Sequence, residues 1–273
     1  MRILGTRVYP CDDDHRARSV LLSDLHIARE GRFALDALGT LCARIVDDPA
    51  DTRVLILGDL FDVWVTDAQV RVAQWDRVVG LLRSLVAVGV PVTVMHGNRD
   101  FMLGARFARA TGARVVRGGL RTSLCGRPAL LLHGDELCLR DLAYQRARRW
   151  LRHPITRAVL QVIPSALALR FAKRARRVSA EVQARDRQGP GDDPRYEATA
   201  EAVATAFAAS GCSLLVHGHV HRGARTVLPG GRELLVLPAF DEEGVHLVAD
   251  GGGLGFRSLS GAERPDFAPR PPR

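Results

Sequence analysis

One pattern, repeated five times, constrains this chain more than any other: a short apolar run broken by a polar turn that carries Asp, Asn or His. Val20-Leu21-Leu22 leads into Ser23-Asp24-Leu25-His26, Val54-Leu55-Ile56-Leu57 into Gly58-Asp59, and Val92-Thr93-Val94-Met95 into His96-Gly97-Asn98-Arg99-Asp100. Ala129–Leu132 leads into His133-Gly134-Asp135, and Leu214-Leu215-Val216 into His217-Gly218-His219-Val220-His221. Continuous apolar runs of this length suit strands buried on both faces. Between them lie segments of helical period. Phe33, Leu38, Leu41 and Ile45 share one face, as do Trp75, Val78, Val79, Leu82, Leu85 and Val86. Strands alternating with helices predict an α/β fold. Towards the C-terminus the pattern changes to a hairpin, Thr226–Leu228 against Glu233–Leu237, with one more strand over Val245–Ala249.

The stretch Asp141–Arg187 departs from this alternation. It holds twelve Arg or Lys against three Asp or Glu, which equals the whole chain's net charge of +9, so the remainder is close to neutral. Leu151, Ile155, Val159, Leu160, Ile163, Leu167, Leu169 and Phe171 give it an apolar side. It reads as a helical insertion with a greasy face and a basic face, closed by the breaker Gly189–Pro194. The expected organisation is one domain over residues 19–260, with 141–195 as an inserted lid and loose termini at 1–18 and 261–273. Hydrophobic residues make up 47% of 273 positions, enough for a sizeable core, which argues against disorder, collagen and coiled coil. Five cysteines without a CxxC pair fit a reducing compartment. No signal-like apolar run opens the sequence, and Val159–Leu169, interrupted by Gln161 and Pro164, is too short to span a bilayer. The expected location is the cytoplasm, with attachment to a membrane surface at most.

The chemistry sits at the five strand ends, on Asp24, His26, Asp59, Asn98, His133, His219 and His221. In open α/β sheets, sites collect beyond the carboxyl ends of strands. Carboxylate, imidazole and amide donors without thiolate suit Mn²⁺, Zn²⁺ or Fe²⁺. One bridging carboxylate lets seven such donors hold two metals, which at ~3.5–4 Å separation activate water and clamp an in-line phosphoryl displacement. Taken singly, each residue has a plain structural role: an Asp after an apolar run caps a helix or forms a turn, and a strand-end His hydrogen-bonds locally. Their combination in this order carries the inference.

Asp24-x-His26, Gly58-Asp59, Gly97-Asn98, His133 and Gly218-His219-x-His221 resemble the calcineurin-like metallophosphoesterases from about Ser19 to Gly244. That resemblance implies a sandwich of two mixed β-sheets flanked by helices. It also implies that Asp24, His26 and His221 hold one metal, that Asn98, His133 and His219 hold the other, and that Asp59 bridges them, with His217 and His96 supporting turns. Gly58-Asp59-Leu60-Phe61-Asp62-Val63-Trp64, Asn98-Arg99-Asp100-Phe101, His133-Gly134-Asp135-x-Leu137-Cys138, Asp141 and Tyr144 look like the UDP-2,3-diacylglucosamine pyrophosphatases of lipid A biosynthesis. That narrower resemblance implies two Mn²⁺ ions, with Mg²⁺, Zn²⁺ or Fe²⁺ as other occupants. Its implied reaction is attack at the α-phosphorus of a nucleotide-linked lipid, giving 2,3-diacylglucosamine 1-phosphate and UMP. Asn98 and Arg99 would be catalytic, and Asn98, Arg99, Asp141, Ser179, Gln183, Asp186 and His219 would bind substrate. Gln183 stands where the family has Asn, and Asp186 where it has Lys, with Arg185 adjacent. The implied setting is peripheral, on the cytoplasmic face of the inner membrane, against an anionic lipid surface and without an obligate protein partner.

Other readings stand beside this one. A two-metal phosphoesterase could act on another nucleotide, nucleotide-sugar or phosphoprotein. A scaffold that had lost its metals would lack ligands, whereas all seven are present. A nucleic-acid module could use the Arg-rich insertion, but aromatics at 5% leave little surface for base stacking.

Overall fold

The computed structural model describes residues 1–11, 16–28, 32–162 and 194–267. In chain order the strands are β1 (Arg2–Ile3), β2 (Thr6–Pro10), β3 (Arg18–Leu22), β4 (Thr52–Ile56), β5 (Val92–Met95), β6 (Arg114–Val116), β7 (Gly119–Leu124), β8 (Arg127–Leu132), β9 (Leu214–His217), β10 (Ala224–Leu228), β11 (Arg232–Val236), β12 (His246–Asp250) and β13 (Gly253–Arg257). The helices are α1 (Phe33–Asp47), α2 (Asp76–Ala87), α3 (Ala105–Thr111), α4 (Leu142–Leu151), α5 (Pro154–Val162), α6 (Ala200–Ser210) and α7 (Phe240–Glu243).

These strands form two sheets, a six-stranded one in the order β13-β12-β3-β4-β5-β6 and a seven-stranded one in the order β1-β2-β7-β8-β9-β11-β10. Side-chain alternation builds the layers. Val20, Leu22, Val54, Ile56, Val92 and Val94 face outward, onto Leu38 and Leu41 of α1, Val78 and Leu82 of α2 and Phe107 of α3. Leu21, Leu55 and Met95 face inward, onto Leu120, Leu131, Val216 and Leu235 of the other sheet. Leu130, Leu132 and Leu215 on the far face pack against Ala202, Val203 and Phe207 of α6. The five apolar runs that precede the polar turns are thus buried on both sides, as their lack of alternation requires.

Parallel pairing aligns the strand ends. Leu22 lies opposite Ile56 and Ile56 opposite Val94, so β3, β4 and β5 deliver their following loops to one edge. In the second sheet Leu132 lies opposite His217. The loops then join across the sheets: Phe240 N donates to Ser23 O, and Asp241 N to Asp24 O at 3.3 Å.

Several expectations need correction. The N-terminus is not loose throughout: β2 runs parallel to β7, with Val8 opposite Gly119, and Ile3 and Val8 are buried in the α6 layer. The cause is a period-2 pattern, Thr6 and Val8 inward and Arg7 outward, that meets an open sheet edge. The segment after Gly261 is held as far as Phe267, whose ring packs 4.8 Å from that of Phe256; residues 268–273 lie outside the described residues. Phe33 is 49% exposed and contributes nothing to the apolar face of α1. Of the inserted segment, α4 and α5 are described, and residues 163–193 lie outside, Ser179, Gln183 and Asp186 among them. No helix among the described residues is long and apolar enough to cross a membrane.

Candidate metal centre

Each candidate ligand sits in the turn that ends its strand. The turns are tight enough to force Asp24 (φ 58°), His26 (φ 43°), Asp59 (φ 51°), His219 (φ 68°) and His221 (φ 63°) into left-handed backbone. Neighbouring loops touch without intervening side chains, both within one sheet and across the two. A Cβ on Gly97 would collide with the Asp59 carboxylate, and one on Gly218 with Ser23 and Asp24, so both positions need glycine for close approach.

The two carboxylates share one arrangement. Asp24 and Asp59 are buried, 0% and 1% exposed. One oxygen of each is fixed by a backbone amide from another loop: His219 N donates to Asp24 Oδ2, and Arg99 N to Asp59 Oδ1, both at 2.8 Å. The second oxygen of each faces imidazole. Asp24 Oδ1 lies 3.4 Å from His221 Nε2 and 3.8 Å from His26 Nε2. Asp59 Oδ2 lies 3.4 Å from His26 Nε2 and 3.7 Å from His133 Nε2. Asn98 Oδ1 closes the group, 2.8 Å from His133 Nε2 and 3.0 Å from His219 Nδ1.

The rings are aimed from behind. His26 Nδ1 donates to Asp241 Oδ2 at 2.9 Å, and His133 Nδ1 to Leu57 O at 2.9 Å, which turns both Nε2 atoms toward the carboxylates. Burial by itself would raise the Asp24 carboxyl, but the His221, His133 and His26 rings reverse this and hold it well below the ordinary range. Asp59 is lowered in the same way, burial being outweighed by His133 and His26. Burial would lower His26, but Asp241 and Asp59 lift it to about 9. Burial and the charge of His133 push His219 down to about 4.

These residues fit divalent cations. Asp24 Oδ1 and His26 Nε2 are buried without a hydrogen-bond partner, an arrangement that costs stability unless another group is bound. Ligand atoms of Asp24, His26 and His221 lie within 4.8 Å of one another, as do those of Asp24, Asp59 and His133. Oxygen and nitrogen donors alone, around concentrated negative charge, match Mn²⁺-, Zn²⁺- or Fe²⁺-type ions.

Over residues 17–223 the sequence matches the calcineurin-like phosphoesterases. The chain belongs to the calcineurin-like phosphoesterase family. Within that family, a UDP-2,3-diacylglucosamine hydrolase of Xanthomonas campestris pv. campestris is 37% identical over 254 residues, covering 89% of this chain and 99% of the relative. One of Pseudomonas fluorescens is 35% identical over 257 residues, covering 92% and 96%. Among solved structures, a dimetal phosphatase from Danio rerio aligns with a TM-score of 0.48 at 15% identity, over 89% of this chain and 96% of that one.

For a calcineurin-like phosphoesterase, the structure gathers all seven expected donors. Arg99 adjoins them, its Nε 3.4 Å from Asp59 Oδ2 and its Nη1 donating to Asp62 Oδ1 at 3.0 Å. Asp100 serves the backbone: it accepts from Gly97 N and Leu60 N, each at 2.8 Å, and so ties two ligand loops together without touching a ligand histidine. Asp141 caps α4, accepting from Tyr144 N at 2.9 Å. His217 and His96 are turn supports, bonded to Gly218 O and Leu103 O. Phe61 and Trp64 are core, stacked 4.4 Å apart. The sequence reading missed Asp241, which orients His26 from the short helix α7 after β11 of the other sheet; no local motif marks it. It also missed the hub at Asp135, whose Oδ2 accepts from Tyr144 OH at 2.6 Å, Arg148 Nε at 2.7 Å and Arg152 Nη2 at 3.0 Å.

Proposed function

We propose that this chain hydrolyses the pyrophosphate bond of UDP-2,3-diacylglucosamine, with water attacking the α-phosphorus to give 2,3-diacylglucosamine 1-phosphate and UMP. The convergence of two buried carboxylates, four imidazoles and one amide at the meeting edge of two sheets carries this reading, and the hydrolase relatives at 35–37% identity supply the substrate. In this reading Asp24, His26 and His221 would hold one ion, and Asn98, His133 and His219 would hold the second. Asp59, whose Oδ2 lies 3.4 Å from His26 Nε2 and 3.7 Å from His133 Nε2, would serve both. Two divalent cations there, Mn²⁺ by preference, supply Lewis acidity to phosphoryl oxygen and activate water.

The chain's own residues do the rest. Arg99, held by Asp59 and Asp62 at the rim, meets the charge on the transferring phosphoryl group. Asn98 and His219 flank the same group and contact the substrate. Asp141, Ser179, Gln183 and Asp186 bind the remainder of the substrate from the insertion. On α4 and α5, Leu142, Trp150, Ile155 and Val159 are exposed beside Arg146 and Arg149, a surface suited to acyl chains and anionic headgroups. The enzyme accordingly works at the cytoplasmic face of the inner membrane.

Hydrolysis in ¹⁸O-labelled water is the test. Label in UMP is the expected result. Label in the sugar phosphate would move the attack to the other phosphorus, and no turnover of this lipid beside good turnover of UDP-glucose would overturn the substrate.

A further inference from the structure

Next to the metal centre three arginines converge: Arg152 is paired with Asp135, whereas Arg117 and Arg157 have no ion-paired carboxylate among the described residues. β5 and β6 pair Met95 with Val116, and His96 N donates to Val116 O at 2.8 Å, so the following residue, Arg117, lies alongside His96 and Gly97. Arg152, just beyond α4, reaches the same place: its Nη2 donates to Gly97 O at 3.3 Å. Arg157 of α5 adds a third guanidinium, and its Nη2 is buried without a hydrogen-bond partner. Burial, then the charges of Arg117 and Arg152, pull Arg157 down to about 10. Among the described residues, the only carboxylate ion-paired with any of the three is Asp135, and it is shared with Arg148.

Like charges packed together, with a buried N–H left without an acceptor, cost stability. Folds keep such arrangements where a ligand completes them. We propose that Arg117, Arg152 and Arg157 form a binding site for a phosphate group, beside the Asp/His centre and separate from it. Three forks arriving from a strand end, a helix end and a second helix suit a tetrahedral dianion better than a flat carboxylate. The site does not depend on the metal assignment, because none of the three arginines is a candidate ligand.

Calorimetry on the full chain, freed of metal with EDTA and titrated with inorganic phosphate, tests this. Arg157→Gln and Arg117→Gln should each weaken binding about tenfold, the worth of one charge-assisted hydrogen bond. Arg99→Gln, at the other centre, should leave it unchanged. Equal affinity in all variants, or a loss confined to Arg99→Gln, would overturn the proposal. In phosphate-free buffer Arg157→Gln should melt at or above the wild-type temperature, because it removes a repelled, unpaired donor. A large drop would instead show that the guanidinium has a structural partner and no need of a ligand. Vesicles of phosphatidylcholine with and without phosphatidic acid separate the sources. Sedimentation that needs both phosphatidic acid and Arg157 assigns a lipid phosphate. Phosphate binding without such sedimentation assigns a soluble one, and the absence of both overturns the site.

Discussion

Asp24, His26, Asp59, His219 and His221 occupy left-handed backbone that ordinary side chains avoid, at a cost of about 1–3 kcal/mol each. The framework sustains this because each turn is cross-bonded to another, as where the amide of His219 holds Asp24. The ligands were legible in the sequence because strand ends are, and a strand end followed by Asp, Asn or His is a local signal. Asp241 was not legible: it lies 215 positions from His26, and only the fold brings them to 2.9 Å. Asp241→Ala should therefore leave the fold intact and weaken metal binding roughly 10- to 100-fold, the usual cost of removing a group that orients a ligand histidine. Mn²⁺ titration checks this, and an unchanged affinity would deny Asp241 its orienting role.

Among the elements, α4 is fastened to the centre by the Asp135 hub, which also reaches β2: Arg148 Nη2 donates to Thr6 Oγ1. Burial would raise Asp135, but Arg152 and Arg148 outweigh it and hold the carboxyl well below its ordinary 3.8. Since the folded value is depressed, these ion pairs contribute stability that is complete above the unfolded value and is lost as pH falls below it. Asp135→Asn strands two cations and should cost about 3–5 kcal/mol near neutral pH. The gap to wild type should narrow as pH falls below about 4. Denaturant melts across that range measure it, and a gap independent of pH would show that the ion pairs contribute nothing. Continuously apolar stretches such as those of β4 and β9 were readable from sequence. β1, β6, β7 and β13 were not, because segments interspersed with Arg, Thr or Gly become strands only when a neighbour supplies the pairing.

At the scale of the whole molecule, the centre exists only where two sheets meet. Asp24, Asp59 and Asn98 follow strands of one, and His133, His219 and His221 follow strands of the other. Any change that shifts the sheets relative to each other should disturb metal binding. Deleting residues 1–10 removes Ile3 and Val8 from the α6 layer, and burying each such side chain is worth about 1.5–3 kcal/mol. The truncated chain should melt several degrees lower, and an unchanged melting temperature would mean that β1 and β2 are dispensable. The central claim is that these loops cage two cations around Asp59. Elemental analysis of the Mn²⁺-loaded chain after gel filtration addresses it most directly. Two manganese per wild-type chain and a loss of occupancy in Asp59→Ala are predicted; one or none in the wild type, or full occupancy without Asp59, would contradict it.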